Sequence, residues 1–538
     1  MIKKLSIIYL LGALALTSCV EDEGSNIIVD ENELKSHLNE AEIEGIDDSY
    51  YKVADMENLD IPVKVTGSLS GDDLSGFDFE WYVCSKDIGN TTHTHTVISH
   101  DRDLSYSLKG VTPGSYTIYF RATDKATKLI YEKSCNLNVI SPYVRGFYLY
   151  GDKEDGTVGI DFVSMLDERD TTVIADMFDN TKGIKHAKDL VFTGCTGMGE
   201  AKANLEYLYA VTDDNSYSLT HTSTESKIGF SAADINELAW PTISTVKKPF
   251  KVLDILPHAY GPGNMMRSRT ARYVMTDQAM FFGSLYQAES YGNPANCYVQ
   301  GDEKLVQMSP YGFYPNNSSY TSAVYLFDRT NHKFVKLSST YSSNTNLASV
   351  TETSQGAFWL DQSKYTPVRD LVYGENGKGN NGASYALMKD TDGKYYVYIF
   401  RAVSSYSFVK MAAKNINLDV ATDFAKASHY AFYSNQYIVL YSVGNDLWAY
   451  NYNSNKAQKV KSFDGEITYL AFDVHSDGNA DDIIVATWSP SAKGTVYKYE
   501  VEDSPNDLKI NEKNYATKSY PWKTGLKVVK VEYRNCKE

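Results

Sequence analysis

The chain has 538 residues, 43% of them hydrophobic, and 68 Asp and Glu outnumber 52 Lys and Arg to leave a formal charge of −16. That hydrophobic content fills sizeable cores, and the length exceeds one ordinary domain unless a large all-β body takes most of it. The acid excess argues against nucleic acid or an anionic lipid surface as partner, because both require a basic face.

Residues 1–18 read as a leader. Lys3 and Lys4 precede an apolar run from Leu5 to Leu16, the layout of a secretory signal peptide, and the run is shorter than the ~20 apolar residues that cross a bilayer. Thr17 and Ser18 before Cys19 resemble the lipobox of bacterial lipoproteins, which implies an acylated Cys19 at the mature N-terminus. Removing Lys3 and Lys4 with the leader takes the charge from −16 to −18. No later stretch approaches ~18 uninterrupted apolar residues, so lipid alone would hold the protein to a membrane. Glu21, Asp22 and Glu23 are either a solvated linker end or, by resemblance, the signal that sends Bacteroidetes lipoproteins to the outside of the outer membrane. Residues 19–48 thus read as a lipidated cysteine and an acidic flexible linker.

Residues 49–141 alternate with period two in short runs such as "FDFEWYVC" and "TIYFRATD", where Ile118 and Phe120 share one face and Tyr119 and Arg121 the other. With Trp81 on a central strand, these runs look like a PKD or immunoglobulin-like β-sandwich. Beyond Cys19 the cysteines are Cys84, Cys135, Cys195, Cys297 and Cys536, an odd set without disulfide or zinc spacing. Cys84 and Cys135 fall on strands that another strand separates, which argues against a bridge between them.

From 145 to 538 one unit recurs: an aromatic strand, an acidic or glycine turn, and a second strand. The copies span 146–163, 207–221, 271–285, 322–337, 384–400, 437–452 and 483–501, with Asp-Gly, Asp-Asn or Gly-Asn at several turns. Seven hairpins over roughly 390 residues predict a β-propeller of about seven four-stranded blades, six or eight being the alternatives. Helical periodicity is confined to 417–427, "NLDVATDFAKA", with Asp419 or Thr422 as caps. The fold class expected is therefore all-β, a sandwich at 49–141 followed by a propeller at 145–538.

Taken together, the Cys19 pattern with its acids, the sandwich ending in "YEKSCNLNVISPYVRGFYLYG" and the closing "IIVATWSPSAKGTVYKYEV" resemble the PKD-like family of lipoproteins found with SusC/SusD-type nutrient importers in Bacteroidetes. The resemblance implies a lipid-anchored protein exposed on the outer membrane, partnered by a SusC/SusD-type TonB-dependent transporter and serving capture of glycan or peptide. It carries no catalytic signature. Gly-x-Ser-x-Gly, His-Glu-x-x-His, Walker and aspartate-box motifs are missing from the sequence. A propeller glycoside hydrolase or lyase stays open as the alternative, because carboxylate pairs assembled by folding leave no spacing signature.

Two clusters suggest metal. In "DVHSDGNADD", Asp473, His475, Asp477, Asn479 and Asp481 occupy alternate places of a calcium-type loop, although His475 offers nitrogen and Ile484 stands where a bidentate Glu is wanted. An acidic hairpin turn explains the same residues. In "TTHTHTVISH", His93 and His95 share a strand face with His100 nearby, without the third ligand that zinc needs. For ligand contact the irregular segment from Leu256 to Ser322 stands out, since long excursions in a repeat fold are usually functional. Tyr260, Tyr286, Tyr291, Tyr311, Phe313 and Tyr314 are its candidate stacking faces, with Asn293, Asn316 and Asn317 as hydrogen-bond partners. The excess of 43 Tyr over 21 Phe is explained equally by rings that line blade faces.

Overall fold

The computed structural model describes residues 36–85, 95–166, 170–193, 208–221, 227–258, 271–284, 289–314, 324–338, 345–352, 354–404, 407–476, 481–502, 508–515 and 520–535. The chain divides into two compact units, Met1–Ile140 and Ser141–Glu538.

In the first unit a five-stranded sheet runs in the order Ser49–Val53, Ile130–Ile140, Gly114–Asp124, Phe77–Ser85, His95–Ser99. Two short antiparallel pairs, Ala41–Glu44 with Lys64–Gly67 and Asn58–Ile61 with Leu104–Ser107, cover it. The alternation read from sequence sets the faces: Ile118, Phe120 and Ala122 are fully buried beside Trp81, Leu59 and Ile61 in one core. Trp81 is accommodated there because its indole N–H donates to the Arg102 carbonyl at 3.1 Å. Cys84 pairs with Thr117 and Cys135 with Ile118 on either side of the same strand, and both thiols are free. The linker expected to run to residue 48 ends earlier. Ala41–Glu44 is a strand whose Ala41 and Ile43 pack on the core, a four-residue alternation too short to register as a period beside the polar residues around it.

The second unit is built from seven antiparallel sheets taken in chain order among the described residues. Each of the seven hairpins read from sequence is a strand pair, from Arg145–Asp152 with Val158–Ser164 to Asp482–Ser489 with Lys493–Glu502. The first sheet takes its remaining long strand from the far end of the chain: Lys527–Asn535 pairs with Arg145–Asp152, Phe147 opposite Tyr533 and Leu149 opposite Val531. In the fourth sheet, Tyr325–Asp328 is bridged at Phe313 and Met308 by the segment before it.

Both faces of most of these strands are buried, because each sheet packs on two others. Tyr148, Tyr150 and Phe162 of the first sheet join Leu190, Phe192 and Leu208 of the second. Equivalent clusters follow between the second and third, third and fourth, fourth and fifth, fifth and sixth, and sixth and seventh sheets. The alternate residues Phe147 and Leu149 then pack with Ile484, Ala486, Val496 and Trp522, so the seventh sheet meets the first. At about 1.5–3 kcal/mol for each large apolar side chain buried, these interfaces supply most of the driving force.

The tyrosine excess belongs to this packing. Tyr150 and Tyr325 fill inter-sheet space, and their hydroxyls donate to the carbonyls of Val211 at 2.9 Å and Ser404 at 2.7 Å. The helix expected at 417–427 is not formed. A turn at Asn417 and the 3-10 helix Phe424–Lys426 occupy the stretch, since Asp423 is left-handed at φ 53° and Ala421 and Phe424 are drawn into the core.

Candidate functional site

The strands that precede the hairpins converge on a cavity of about 570 Å³, within the range of small-molecule sites. Ala187–Phe192 of the second sheet contributes Asp189, Val252–Leu256 of the third contributes Asp254, with His258 just beyond, and the closing strand Lys527–Asn535 contributes Lys530 and Glu532. Arg369–Asn376 of the fifth contributes Tyr373 and Glu375, His429–Tyr433 of the sixth Tyr430, and Glu466–Phe472 of the seventh Tyr469.

One wall is a chain of charges. Lys530 Nζ lies 3.0 Å from Asp189 Oδ1 and 3.4 Å from Glu532 Oε1; Glu532 Oε1 lies 3.9 Å from His258 Nδ1, and His258 Nε2 lies 3.0 Å from Asp254 Oδ1. Burial disfavours the charge on Lys530, but Asp189 and Glu532 outweigh it and hold the ammonium well above its ordinary range. Burial likewise opposes the imidazolium of His258, and Asp254 overcomes it, so His258 is raised. Glu532 is raised by burial against the pull of Lys530.

The other wall is aromatic. Tyr311 and Tyr373 meet edge to face at 5.6 Å, and Tyr373 and Tyr430 lie 5.8 Å apart. Glu375 stands within it, accepting from the Tyr373 hydroxyl and the Phe432 N–H, each at 2.6 Å. Burial pushes its carboxyl up to about 7 despite both bonds.

Of the six aromatic candidates, Tyr311 and Tyr314 line the cavity. Tyr291 and Phe313 do not face a ligand. The Tyr291 ring is fully buried over Gly283, where any Cβ would come within 2.4 Å of it, and Phe313 is buried between the fourth and fifth sheets. Both fill holes that the core would otherwise leave. Tyr260, Tyr286, Asn316, Asn317 and Cys19 lie outside the described residues, and Asn293 is exposed.

Three candidate residues of the calcium-type loop are described, each with partners inside the protein. Asp473 receives the Lys498 ammonium at 2.7 Å, and Ser476 N–H donates to it at 2.8 Å, so its charge is matched by an internal cation. Asp481 accepts from Tyr433 at 2.7 Å and Asn435 at 2.6 Å, on the neighbouring sheet. The His475 N–H donates to Asp473 at 3.2 Å. Asp477 and Asn479 lie outside the described residues, and no group of three metal-ligating side chains converges among those described. In the first unit His95 stacks on Tyr82 at 3.9 Å and sits 3.6 Å from Glu80, while His100 Nδ1 approaches the Phe79 carbonyl at 3.4 Å; His93 lies outside the described residues.

The charged wall was missed because its residues sit on short strands, "AKDLVF", "VLDIL" and "KVVKVEY", outside the hairpins that carry the repeat. A polar residue recurring inside an apolar run just ahead of a hairpin was the available signal.

The PKD-like family matches from Cys19 through the first unit, the whole first sheet's hairpin and part of the next strand. Residues 19–189 match the model of the PKD-like family. Solved structures from Bacteroides are similar at low identity over most of the chain. A quinoprotein alcohol dehydrogenase-like protein of Bacteroides thetaiotaomicron is 12% identical at a TM-score of 0.36, over 86% of this chain and 92% of its own. Proteins named as 6-phosphogluconolactonases from Bacteroides uniformis and Bacteroides fragilis are 10% and 8% identical, at TM-scores of 0.41 and 0.40. Each match covers 72% of this chain, and 99% and 98% of those two. No curated protein matches the chain.

Proposed function

We propose that this is a surface lipoprotein whose second unit, a seven-bladed β-propeller, captures a nutrient, glycan or peptide, in its central cavity without turning it over. It serves a SusC/SusD-type TonB-dependent importer, and Cys19 carries the lipid that holds it on the outer face of the outer membrane. The ring of seven inter-sheet cores, the last joining the seventh sheet to the first, supports the propeller. The observation that carries capture is the cavity itself, which gathers polar and aromatic side chains from strands of separate sheets at one place. Capture without turnover is favoured by the way the cavity carboxylates are engaged: Glu375 by Tyr373 and Phe432, and Asp254 by His258. The lipid anchor and the importer rest on the leader, the Cys19 pattern and the PKD-like resemblance.

Affinity capture of the lipidated protein from detergent-solubilised outer membranes, followed by mass spectrometry, tests this. A SusC/SusD-type pair recovered in near-stoichiometric amount is expected. Recovery of the protein alone, together with sustained release of reducing sugar or peptide by the purified protein, would replace this reading with a surface hydrolase or lyase.

A further inference from the structure

We infer that the cavity takes an uncharged, hydroxyl-rich ligand of sugar size and turns away anionic ones. This rests on the reading of the cavity as a capture site and narrows it to one ligand class. Two features of the walls carry it. The charged wall runs Asp189, Lys530, Glu532, His258, Asp254, so acceptors and N–H donors alternate within contact distances of 3.0 to 3.9 Å. A hydroxyl both donates and accepts, and it can bond to adjacent members of such a row; an ammonium only donates, and a carboxylate only accepts. The tyrosine wall lines the cavity with the rings of Tyr311, Tyr373 and Tyr430, aromatic surface of the kind on which the C–H groups of a sugar ring pack.

Charge decides against anions. Along the charged wall Asp189, Asp254 and Glu532 outnumber the cations between them, Lys530 and His258; Lys188 also lines the cavity, and Glu375 on the opposite wall is a carboxyl whose ionisation burial opposes, so the acid excess lies in the row itself. Lys530 is already engaged by two carboxylates, so a phosphate or carboxylate ligand would have to displace one of them while approaching the others. The cavity side chains are 9–25% exposed along this row, which leaves them reachable and yet poorly screened.

The test is isothermal titration calorimetry on the whole mature protein. The probes are glucose, galactose, mannose, N-acetylglucosamine and their disaccharides, with glucuronate, glucose 6-phosphate, putrescine and a neutral oligopeptide as contrasts. At least one neutral saccharide is expected to bind, about tenfold or more tighter than its anionic counterpart. Tyr311→Ala should weaken it about tenfold, and Glu532→Gln should shrink the neutral-to-anionic preference severalfold. That second change reads electrostatics directly and is not produced by a merely structural role. Equal or tighter binding of glucuronate or glucose 6-phosphate, or binding of putrescine alone, overturns the inference. So does binding of the peptide with no neutral saccharide, a result that leaves nutrient capture standing. Silence from every probe, with no importer recovered by affinity capture, fails both.

Discussion

Lys498 Nζ lies 2.7 Å from Asp473 Oδ2 and 3.1 Å from Asp482 Oδ2, and the three side chains are 6%, 2% and 7% exposed. The ammonium thus ties the residue just past the first strand of the seventh sheet to its second and third strands. Lys498→Met would leave Asp473 without a cation, held by only the neutral donors of Ser476 and His475, whereas Asp482 keeps Lys513 at 2.9 Å. The expected loss is about 3–5 kcal/mol, typical of a buried charge stripped of its partner, read as a lower urea midpoint. The double variant Lys498→Met with Asp473→Asn should recover much of it. Burial opposes ionisation of Asp473, but Lys498 and Ser476 overcome it and lower its pKa; burial also opposes Lys498, whose pKa Asp473 raises. The stabilisation is therefore present from about pH 4 to about pH 10 and is lost beyond either end. Millimolar Ca²⁺ should leave the melting temperature unchanged, because Lys498 supplies the counter-charge.

His258 provides a second titration. Burial lowers it and Asp254 raises it by more, so its imidazole should titrate above the ordinary value of about 6.5. Glu532 supports the charge, whereas Lys530 opposes it. Its contribution to stability is full below pH ~6.5 and disappears as pH rises through the raised value. Histidine NMR against pH checks this, with His258→Asn to assign the resonance among 10 histidines. Asp254→Asn should bring the midpoint below ~6.5, since burial is then weakly opposed. A midpoint unmoved by Asp254→Asn would show that the 3.0 Å contact does not govern it.

The architecture was more legible in the sequence than the site, for a physical reason. Hairpins such as 437–452 are apolar on both faces and end in tight turns, so their repetition signalled seven sheets directly. The cavity strands interrupt that pattern. Asp189, Asp254 and Glu532 sit in short runs where one face serves the core and the other the cavity, and local periodicity does not say that they meet. The partner of Arg145–Asp152 lies at the opposite end of the chain, beyond the reach of any local pattern. Tyr291 and Phe313 misled for the opposite reason: an irregular backbone around them suggested loops, yet bulky rings in irregular segments also plug cores.

Glu375 should make stability fall with pH. Burial raises its carboxyl to about 7, so the folded state favours the neutral form. The favourable contribution is complete below the unfolded value of about 4.3 and is lost as pH rises through about 7. Glu375→Gln removes the charge and keeps one oxygen to accept from the Phe432 N–H, while its amide N–H can donate to the Tyr373 hydroxyl oxygen in place of the lost acceptor. It should gain about 1–3 kcal/mol at pH 8 and little at pH 4, seen as a flatter dependence of melting temperature on pH. A variant as pH-sensitive as the parent would remove Glu375 from the account.

The closing strand is the last and most drastic test. Lys527–Asn535 gives the first sheet the partner of Arg145–Asp152, and Val528, Val531 and Tyr533 complete the core shared with the seventh sheet. Deleting residues 527–538 would leave an unpaired strand edge of eight residues and open that core to water. Calorimetry should then show the large cooperative transition of the wild-type chain lost or strongly broadened, with dye binding to exposed apolar surface. Val531→Ala, which keeps the backbone pairing, should retain one sharp transition and cost only about 1–3 kcal/mol. The contrast separates pairing from packing: a truncated chain that melts as sharply and as high as the parent would mean that the sheets hold without the end of the chain returning to the beginning.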